Sequence, residues 1–394
     1  MNTQNTPVHI RLWHREFWQM SIANWLLNMS AYMLIPVMPL WLMQSMGSTP
    51  LEAGLCMGIS GLGLYALGSF CSYLVQRFRR NHVCVLSIVL MAVCLVVLGL
   101  GDAQSSLPQS QLSILNFQFS ILLLLRFLFG AFFGLAQMVL SSTLIIDTSE
   151  SFQRTEANHS ATWFSRFALA LGPIAGLILY RLHGFGIVSW VAAGCCVAAI
   201  ILIQLVNFPF RTPDDNVKKV SLDRFFLPQG KWLFVNMMLV TMALGMLMTT
   251  ALTDWYYVLM MAGFFLAILA QRFVFPEAEL KSEIITGLIL TGAALAIPEQ
   301  QFLSPLCLGL GLGIIGARFL LFFIKLSRHC QRGTSQSMFM LSWETGLALG
   351  LFIGYAFFYE KTQALHIVAL ILIVVALLLY HFFTHKWFMG HKNR

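Results

Sequence analysis

The feature that most constrains this chain is a succession of long, uninterrupted apolar runs. About twelve of them follow one another, and a helix needs about 20 apolar residues to cross the hydrocarbon core of a bilayer. A transmembrane β-barrel would instead show short segments of alternating polarity. Only 10% of the residues are charged, while 58% are hydrophobic. The sequence therefore predicts an all-α, polytopic membrane protein with twelve transmembrane helices.

The first apolar run, about residues 17–43, predicts a retained membrane helix. It is too long for the core of a signal peptide, and no small-residue cleavage site follows it. The formal net charge of +8 has a topological explanation. Nearly all Lys and Arg residues outside the apolar runs fall in segments that would lie on one side of the membrane, and only Arg181 and Lys361 fall on the other. The excess of positive charge on cytoplasmic segments then predicts that both termini are cytoplasmic and that the charge does not serve nucleic-acid binding.

A repeat at about half the chain length predicts two similar halves. Gly68 and the sequence Gln76-Arg77-Phe78 recur as Gly263 and Gln271-Arg272-Phe273. Half-length repeats in membrane proteins are typical of transporters whose binding site lies between the halves. We expect the two halves to be pseudo-symmetric six-helix bundles. The predicted units are a first bundle over residues 1–207, a cytoplasmic linker over 208–231, and a second bundle with a basic tail over 232–394.

A second pair of matching segments places two buried charges at similar depth. Gln153-Arg154 matches Gln331-Arg332, and at that offset Gly172 and Gly176 fall on glycines in the second half. In the same alignment Arg166 falls on Glu344. An acid inside a membrane helix is costly unless it is paired, and its protonation can be coupled to transport. Glu344 is therefore either a proton-coupling carboxylate or the partner in a static pair with an arginine.

Polar residues in helix 1 share one face. Ser21, Asn24, Asn28 and Tyr32 are spaced three or four residues apart, which aligns them along a helix. Such a stripe lines a cavity or forms hydrogen bonds to another helix. Both alternatives stay open from the sequence, with Asn28 and Tyr32 as candidate substrate-binding residues.

Helix 4 carries a buried cation on a face of small and polar residues. Arg126, Gly130, Gly134, Gln137 and Ser141 recur at intervals of three or four. An arginine at mid-membrane needs a partner or a water-filled cavity, because insertion costs about 2.5–3.5 kcal/mol. Arg126 and Gln137 are therefore further candidates for substrate binding.

The balance of buried charge suggests the cargo. Three arginines lie within apolar runs, against one glutamate. Arg318 lies near a helix end, from which its side chain reaches water. Arg126 and Arg166 are deeper, so at least one cation without a protein counter-ion predicts an anionic or zwitterionic substrate.

The sequence contains no recognisable catalytic or metal-binding motif. Neither His-Glu-x-x-His nor Gly-x-Ser-x-Gly occurs, and the eight cysteines form no Cys-x-x-Cys pair. The glycine-rich sequence Gly311-x-Gly313-x-x-Gly316 follows no soluble strand and indicates helix packing. We expect no catalytic residues, no metal and no cofactor.

The basic turn after helix 2 resembles the signature of the major facilitator superfamily, Gly-x-Leu-Ala-Asp-Arg-x-Gly-Arg-Arg. Here it reads Ser72-Tyr-Leu-Val-Gln76-Arg77-Phe-Arg79-Arg80-Asn81. Gln76 stands where the family has an acid and Arg79 where it has its second glycine, so this turn departs from the acid-centred charge lock that the resemblance implies.

A second motif strengthens the resemblance, which covers essentially the whole chain. Gly172-Pro173-x-x-Gly176 is similar to the core of the antiporter motif in helix 5 of that family. The resemblance implies transport by alternating access, with substrate binding at mid-membrane between the halves. It also implies conformational roles for the residues of these motifs and of the repeated turn: Gln76, Arg77, Arg80, Gly172, Pro173, Gly176, Gln271 and Arg272.

Together these features predict a secondary active transporter of a bacterial inner membrane. The helix-5 motif favours a proton-coupled antiporter that exports a small organic compound. The alternatives are a proton-coupled symporter that imports a small polar solute and, more remotely, a membrane enzyme or receptor that transports nothing. The expected partners are the substrate, protons and the lipid bilayer, with no nucleic acid, and the expected state is a monomer.

Overall fold

The computed structural model describes residues 11–104, 117–150, 152–208, 217–250, 252–274, 279–328 and 331–392. Within these ranges the regular structure is helical and contains no strand. The all-α, polytopic prediction is confirmed.

The helices before the linker are α1 (Arg15–Tyr32), α2 (Leu34–Ser45), α3 (Pro50–Ala66), α4 (Cys71–Arg77), α5 (Arg80–Gln104), α6 (Phe117–Val139), α7 (Ile145–Asp147), α8 (Arg154–His183) and α9 (Phe185–Gln204). Those after it are α10 (Lys231–Leu247), α11 (Asp254–Phe273), α12 (Leu280–Ala296), α13 (Leu303–Leu326), α14 (Arg332–Phe358), α15 (Thr362–Leu379) and α16 (His385–His391). Short 3₁₀ turns cover Gly68–Phe70 and Pro228–Gly230, and π-helical turns cover Leu140–Leu144 and Tyr380–Thr384.

In the described ranges, eleven helical segments are long and apolar enough to cross a membrane. The one predicted helix that is not among them is the ninth, which corresponds to α12 and at 17 residues is shorter than the roughly 20 that a perpendicular crossing needs. Several predicted helices are interrupted. The first predicted helix is divided into α1 and α2, the second into α3 and α4, and the fourth into α6 and α7.

The division between α1 and α2 has a local cause. Proline has no N–H, and its ring clashes with the carbonyl four residues earlier. Pro36 therefore leaves the carbonyl of Tyr32 without a helical partner, and α1 ends at Tyr32. The chain resumes at Leu34 as α2, which also contains Pro39. This break at Met33 lies beside the central cavity described below.

The helices pack in two groups separated by the linker. In the first group α1 contacts α8 and α9, while α5 contacts α6 and α9. In the second, α10 contacts α14 and α15, and α13 contacts α11 and α12. The largest contacts between the groups join α3 to α14 and α8 to α11. The exact boundaries of the two bundles stay a prediction. We call the end of the molecule that carries the linker the linker end.

Candidate functional site

A narrow cavity lies between the two groups of helices, displaced from mid-depth towards the linker end. We call it the linker-side cavity. Its volume is about 40 Å³, little more than one water's share of the liquid. Four sequence-predicted residues of the first group line it with Glu344 of α14. The polar and charged residues of its lining are Asn24, Asn28, Tyr32, Gln137, Ser141, Asn158, Thr162, Ser165, Arg166, Gln336 and Glu344.

The polar stripe of α1 does both of the things that the sequence left open. Asn24 donates from Nδ2 to the Ala161 carbonyl and to Ser165 Oγ, each at 3.1 Å. Asn28 donates to the Asn24 carbonyl at 2.7 Å and to Ser165 Oγ at 3.1 Å. Both asparagines also line the linker-side cavity. The stripe therefore fixes α1 against α8 and presents amide groups to the cavity.

Arg166 lies in this cavity without a hydrogen-bond partner. The residue is only 2% exposed, and none of its three guanidinium nitrogens has a partner among the described residues. The guanidinium packs over the ring of Trp163, with 4.3 Å from Cζ to the ring centroid. It reaches across the interface to α13, where a β-carbon on Gly316 would lie 2.8 Å from Nη2. A buried cation with only an aromatic face beside it is an incomplete site, because buried charges require compensation.

Glu344 is bound by a tyrosine rather than by an arginine. Tyr32 donates its hydroxyl hydrogen to Glu344 Oε1 at 2.5 Å, joining α1 to α14. Among the described residues, the ion pairs involve other acids, and no Lys or Arg nitrogen lies within 4.0 Å of the Glu344 carboxylate. The static arginine pair, one of the two alternatives for Glu344, is thus not formed in this conformation.

The Tyr32–Glu344 bond separates two cavities. On its far side is a second space of about 50 Å³, the opposite-side cavity, which shares both residues with the linker-side cavity. Arg126 lines this second cavity, where its Nε donates to the Cys56 carbonyl and its Nη2 to Ser60 Oγ, both at 3.4 Å. Its Nη1 has no hydrogen-bond partner among the residues that the structure describes. The two deep arginines therefore lie on opposite sides of one hydrogen bond.

Arg318 differs from its sequence interpretation. It donates from Nε to Glu283 Oε2 at 2.5 Å, and the Glu283 side chain is only 1% exposed. Arg318 is therefore held by a buried acid instead of reaching water alone. The sequence did not identify Glu283 as a buried acid because Glu283 stands at the predicted start of its helix, where an acidic side chain is expected to lie in water.

The helix-5 motif packs against the break in the first helix. Gly172 faces Tyr32 and Met33, and Gly176 faces the Met33 carbonyl, both at distances that leave no room for a β-carbon. Pro173 lies between them inside α8. The motif therefore sets the position of Tyr32, and with it the hydrogen bond to Glu344.

At the linker end, Asp223 of the linker lies beside the basic turn after helix 2, in which Gln76 stands in place of an acid. Gln76 donates to Ser72 Oγ at 3.1 Å, and Ser72 donates to Asp223 Oδ2 at 3.2 Å. The other oxygen, Asp223 Oδ1, accepts from Thr334 Oγ1 of α14 at 3.1 Å. A carboxylate from another segment thus lies beside the turn, where position 76 carries no acid, and accepts hydrogen bonds from two hydroxyl groups.

The remaining candidates for conformational roles lie in the two basic turns. Arg80 forms a buried ion pair with Asp147 at the end of α7, while Arg77 is exposed at the end of α4. In the repeated turn, Arg272 is exposed and packs over the ring of Phe273 at 5.6 Å. Among the described residues, Gln271 forms no hydrogen bond with the linker. The two turns are alike in sequence and differ in their contacts.

At the opposite end, one ion pair joins the two groups of helices. Arg181 of α8 donates to Asp254 at the start of α11. The Arg181 side chain is 60% exposed, and exposed ion pairs contribute little to stability.

A bundle of membrane-spanning helices with a polar, charged cavity between two groups is the architecture of a secondary transporter. The model of the Major Facilitator Superfamily matches residues 20–271, more than half of the chain, and the chain belongs to that family. No curated protein sequence matches it.

Solved structures of transporters share the fold at low sequence identity. A bacterial homologue of the iron transporter ferroportin, in an outward-facing state, has a TM-score of 0.68 at 15% identity, covering 95% of this chain and 99% of its own. A mutant of the nucleoside transporter NupG has a TM-score of 0.66 at 12% identity, covering 94% and 100%. A bacterial homologue of the human lysosomal transporter Spinster, inward-facing and occupied, has 0.66 at 14% identity, covering 96% and 98%.

Family and fold together define a multi-pass membrane transporter that works by alternating access and binds a small-molecule substrate. Membership of this family indicates a transporter. The functional roles of the individual cavity residues stay predictions.

Proposed function

We propose that the protein is a proton-coupled antiporter that exports a small zwitterionic organic compound. The observation that carries this proposal is Arg166, a buried guanidinium without a hydrogen-bond partner, in the same cavity as the carboxyl group of Glu344. Guanidinium groups bind carboxylates and phosphates through two parallel hydrogen bonds. The acidic group of the substrate binds Arg166, and its ammonium group binds Glu344.

The chemistry of the cavity supports exchange of such a substrate for a proton. An ammonium group and a proton compete for the same carboxylate, so protonation of Glu344 expels a zwitterion. When the zwitterion leaves, Tyr32 again hydrogen-bonds to Glu344 and closes the passage between the two cavities. This competition couples the two fluxes in opposite directions. The helix-5 motif, which positions Tyr32, then acts on the coupling step.

A purely anionic substrate favours the alternative of symport. An anion on Arg166 repels an ionised Glu344, and a like charge nearby favours the neutral carboxyl group. Anion and proton then bind together and travel together. The net charge of the substrate therefore determines which of the two mechanisms operates.

The cargoes of the structural neighbours help to limit the choice. The ferroportin homologue resembles an iron transporter, yet no group of three His, Cys, Asp or Glu residues that could hold a metal occurs in the described part of this chain. The amide-rich lining suits a polar organic compound better than a metal ion. This comparison supports an organic cargo.

The alternating-access cycle requires the cavity to widen. At about 40 Å³ the linker-side cavity is too small for an organic substrate, which needs several hundred cubic ångströms. The structure is therefore closed around the site. We place the linker end in the cytoplasm and the protein, as a monomer, in a bacterial inner membrane; a reporter fused after residue 394 tests that orientation.

The test is transport in proteoliposomes with a pH-sensitive dye inside. Amino acids, simple carboxylates and lipophilic amines are supplied one class at a time, and substrate flux and proton flux are recorded together. We expect amino acids to move against protons, Arg166→Ala to abolish their transport, and Glu344→Gln to uncouple it from the pH gradient. Arg328→Ala, which removes an exposed arginine that bridges no helices among the described residues, is the control.

Three results would contradict the proposal. Transport of lipophilic amines that Arg166→Ala leaves unchanged would show that Arg166 is structural. Full gradient-driven transport by Glu344→Gln would remove its coupling role. Co-transport of protons with a carboxylate, but no transport of amino acids, would establish the symport alternative.

A further inference from the structure

We infer that residues 221–227 of the linker, here called the linker latch, hold the linker end of the transporter closed. The latch lies between the first group of helices and the start of α14 and bonds to both. It is a conformational device, and it does not depend on which substrate is carried.

The bonds to the first group are made by backbone and side chains. Ser221 donates its backbone N–H to the Ser69 carbonyl at 3.0 Å, and Ser72 donates to Asp223 at 3.2 Å. Arg224 donates from Nη1 to Thr143 Oγ1 in the π-helical turn at 2.9 Å. Three separate elements of the first group thus contact the latch.

The bonds to the second group converge on the first turns of α14. Thr334 donates to Asp223 Oδ1 at 3.1 Å and accepts the backbone N–H of Arg224 at 2.9 Å. Further along, the backbone N–H of Leu227 lies 3.1 Å from the sulfur of Met338. Asp223 and Arg224 therefore each bond to both groups, and separating the groups at this end breaks at least one bond of each residue.

An aromatic wedge accompanies the polar bonds. Phe225 is buried and packs against Tyr65, with 6.1 Å between the ring centroids at an interplanar angle of 77°. Its ring occupies the space that a side chain on Gly68 would need. Gly68 is the glycine that recurs as Gly263 in the half-length repeat. In the first half, the absence of a side chain at this position leaves room for the Phe225 ring.

The backbone of the latch is held in an unfavourable conformation. Arg224 has a φ of +59°, in the left-handed region that few residues other than glycine adopt. Such conformations persist only where the surrounding contacts impose them. Both the N–H and the guanidinium of Arg224 are hydrogen-bonded, which accounts for the conformation and indicates a segment held under constraint.

The latch also explains the unusual signature after helix 2. At position 76 a glutamine donates to Ser72, and Ser72 donates to Asp223. A carboxylate at position 76 would place a second negative charge beside Asp223. The neutral glutamine at position 76 avoids this repulsion and is therefore compatible with Asp223 of the linker lying beside the turn.

The test uses two native cysteines as reporters. Cys71 is buried at the start of α4, close to the charges of Asp223 and Arg224. Cys196 is equally buried in α9, where its thiol lies 3.5 Å from the Ser30 hydroxyl oxygen. The full-length protein in detergent is treated with N-ethylmaleimide, and the labelling rate of each cysteine is followed by peptide mass spectrometry.

We expect Asp223→Ala to accelerate labelling of Cys71 about tenfold, the equivalent of about 1.4 kcal/mol. The effect has this size because a single carboxylate, whose side chain is 42% exposed, bridges the two groups of helices. Phe225→Ala is expected to have at least as large an effect. The rate at Cys196 stays unchanged in both variants. Lys219→Ala, an exposed linker residue, is the control and leaves both rates unchanged.

Two outcomes would overturn the inference. Unchanged labelling of Cys71 in both latch variants would show that the segment does not close this end. Parallel acceleration at Cys71 and Cys196 would show general loosening of the fold instead of opening.

Discussion

Gly172 offers a direct test of how tightly the helix-5 motif packs against the break in the first helix. A β-carbon at this position would lie 2.9 Å from Tyr32 Cβ and 3.1 Å from both the Met33 nitrogen and the Tyr32 carbonyl carbon. Ordinary contacts begin at 3.4 Å, so Gly172→Ala requires a shift of several tenths of an ångström. Two of these neighbours are backbone atoms and cannot rotate away.

The magnitude follows from two opposing effects. Forcing extra carbon into a packed interior costs about 1–3 kcal/mol. Alanine is favoured over glycine in a helix by up to about 1 kcal/mol. Gly194→Ala in α9 is the matched control, because no atom lies within 4 Å of its β-carbon and only the helix preference applies. The difference between the two variants, about 1–3 kcal/mol, is therefore the steric effect alone.

The assay is thermal unfolding in one detergent, with both variants measured beside the wild type at the same heating rate. We expect Gly172→Ala to unfold several degrees below Gly194→Ala, since each kcal/mol corresponds to about 2–4 °C in chains of a few hundred residues. Equal unfolding temperatures for the two alanine variants would refute the close contact and, with it, the reasoning that the motif positions Tyr32.

Three further predictions concern other contacts. Gly316→Ala should raise KM for the substrate with little change in unfolding temperature, because its β-carbon displaces only the flexible end of Arg166; kinetics and unfolding are measured on the same preparation. Glu283→Gln should destabilise the protein by about 1.5–3 kcal/mol, the value of a hydrogen bond to a charged group, because it leaves Arg318 without its acid; thermal unfolding tests this. Thr49→Ala should cost about 1 kcal/mol, because it removes the capping box of α3; helix content and unfolding temperature measure it.

Much of the fold was predictable because apolar length and repeated glycine motifs are local signals. The number and order of the membrane helices follow from hydrophobic runs. The alignment of the two halves put Arg166 and Glu344 at similar depth, and the structure places both on one cavity. Spacing along α1 correctly put Asn24 and Asn28 on one face.

Other features have no periodic signal. The Tyr32–Glu344 bond joins residues more than 300 positions apart, and no local pattern identifies that pair. Arg126 and Gln137 share one face of α6, but eleven residues of helix separate them by about 16 Å. The structure therefore distributes this face between two cavities, which the interval pattern alone does not show. Asp223 lies in a short polar segment, which in sequence looks like an ordinary solvated loop.

The linker latch also determines where this chain tolerates being divided into two polypeptides. A break between residues 208 and 217 leaves residues 221–227 covalently joined to α10, so the bonds to Ser72 and Thr143 become links between two separate chains. Halves translated independently from that break should assemble in the bilayer with Cys71 still protected from maleimide. A second polypeptide that begins at residue 228 lacks those links, and its assembly should leave Cys71 reactive. The residue at which the second polypeptide begins would then determine whether the transporter contains the linker latch, while every membrane helix stays unchanged.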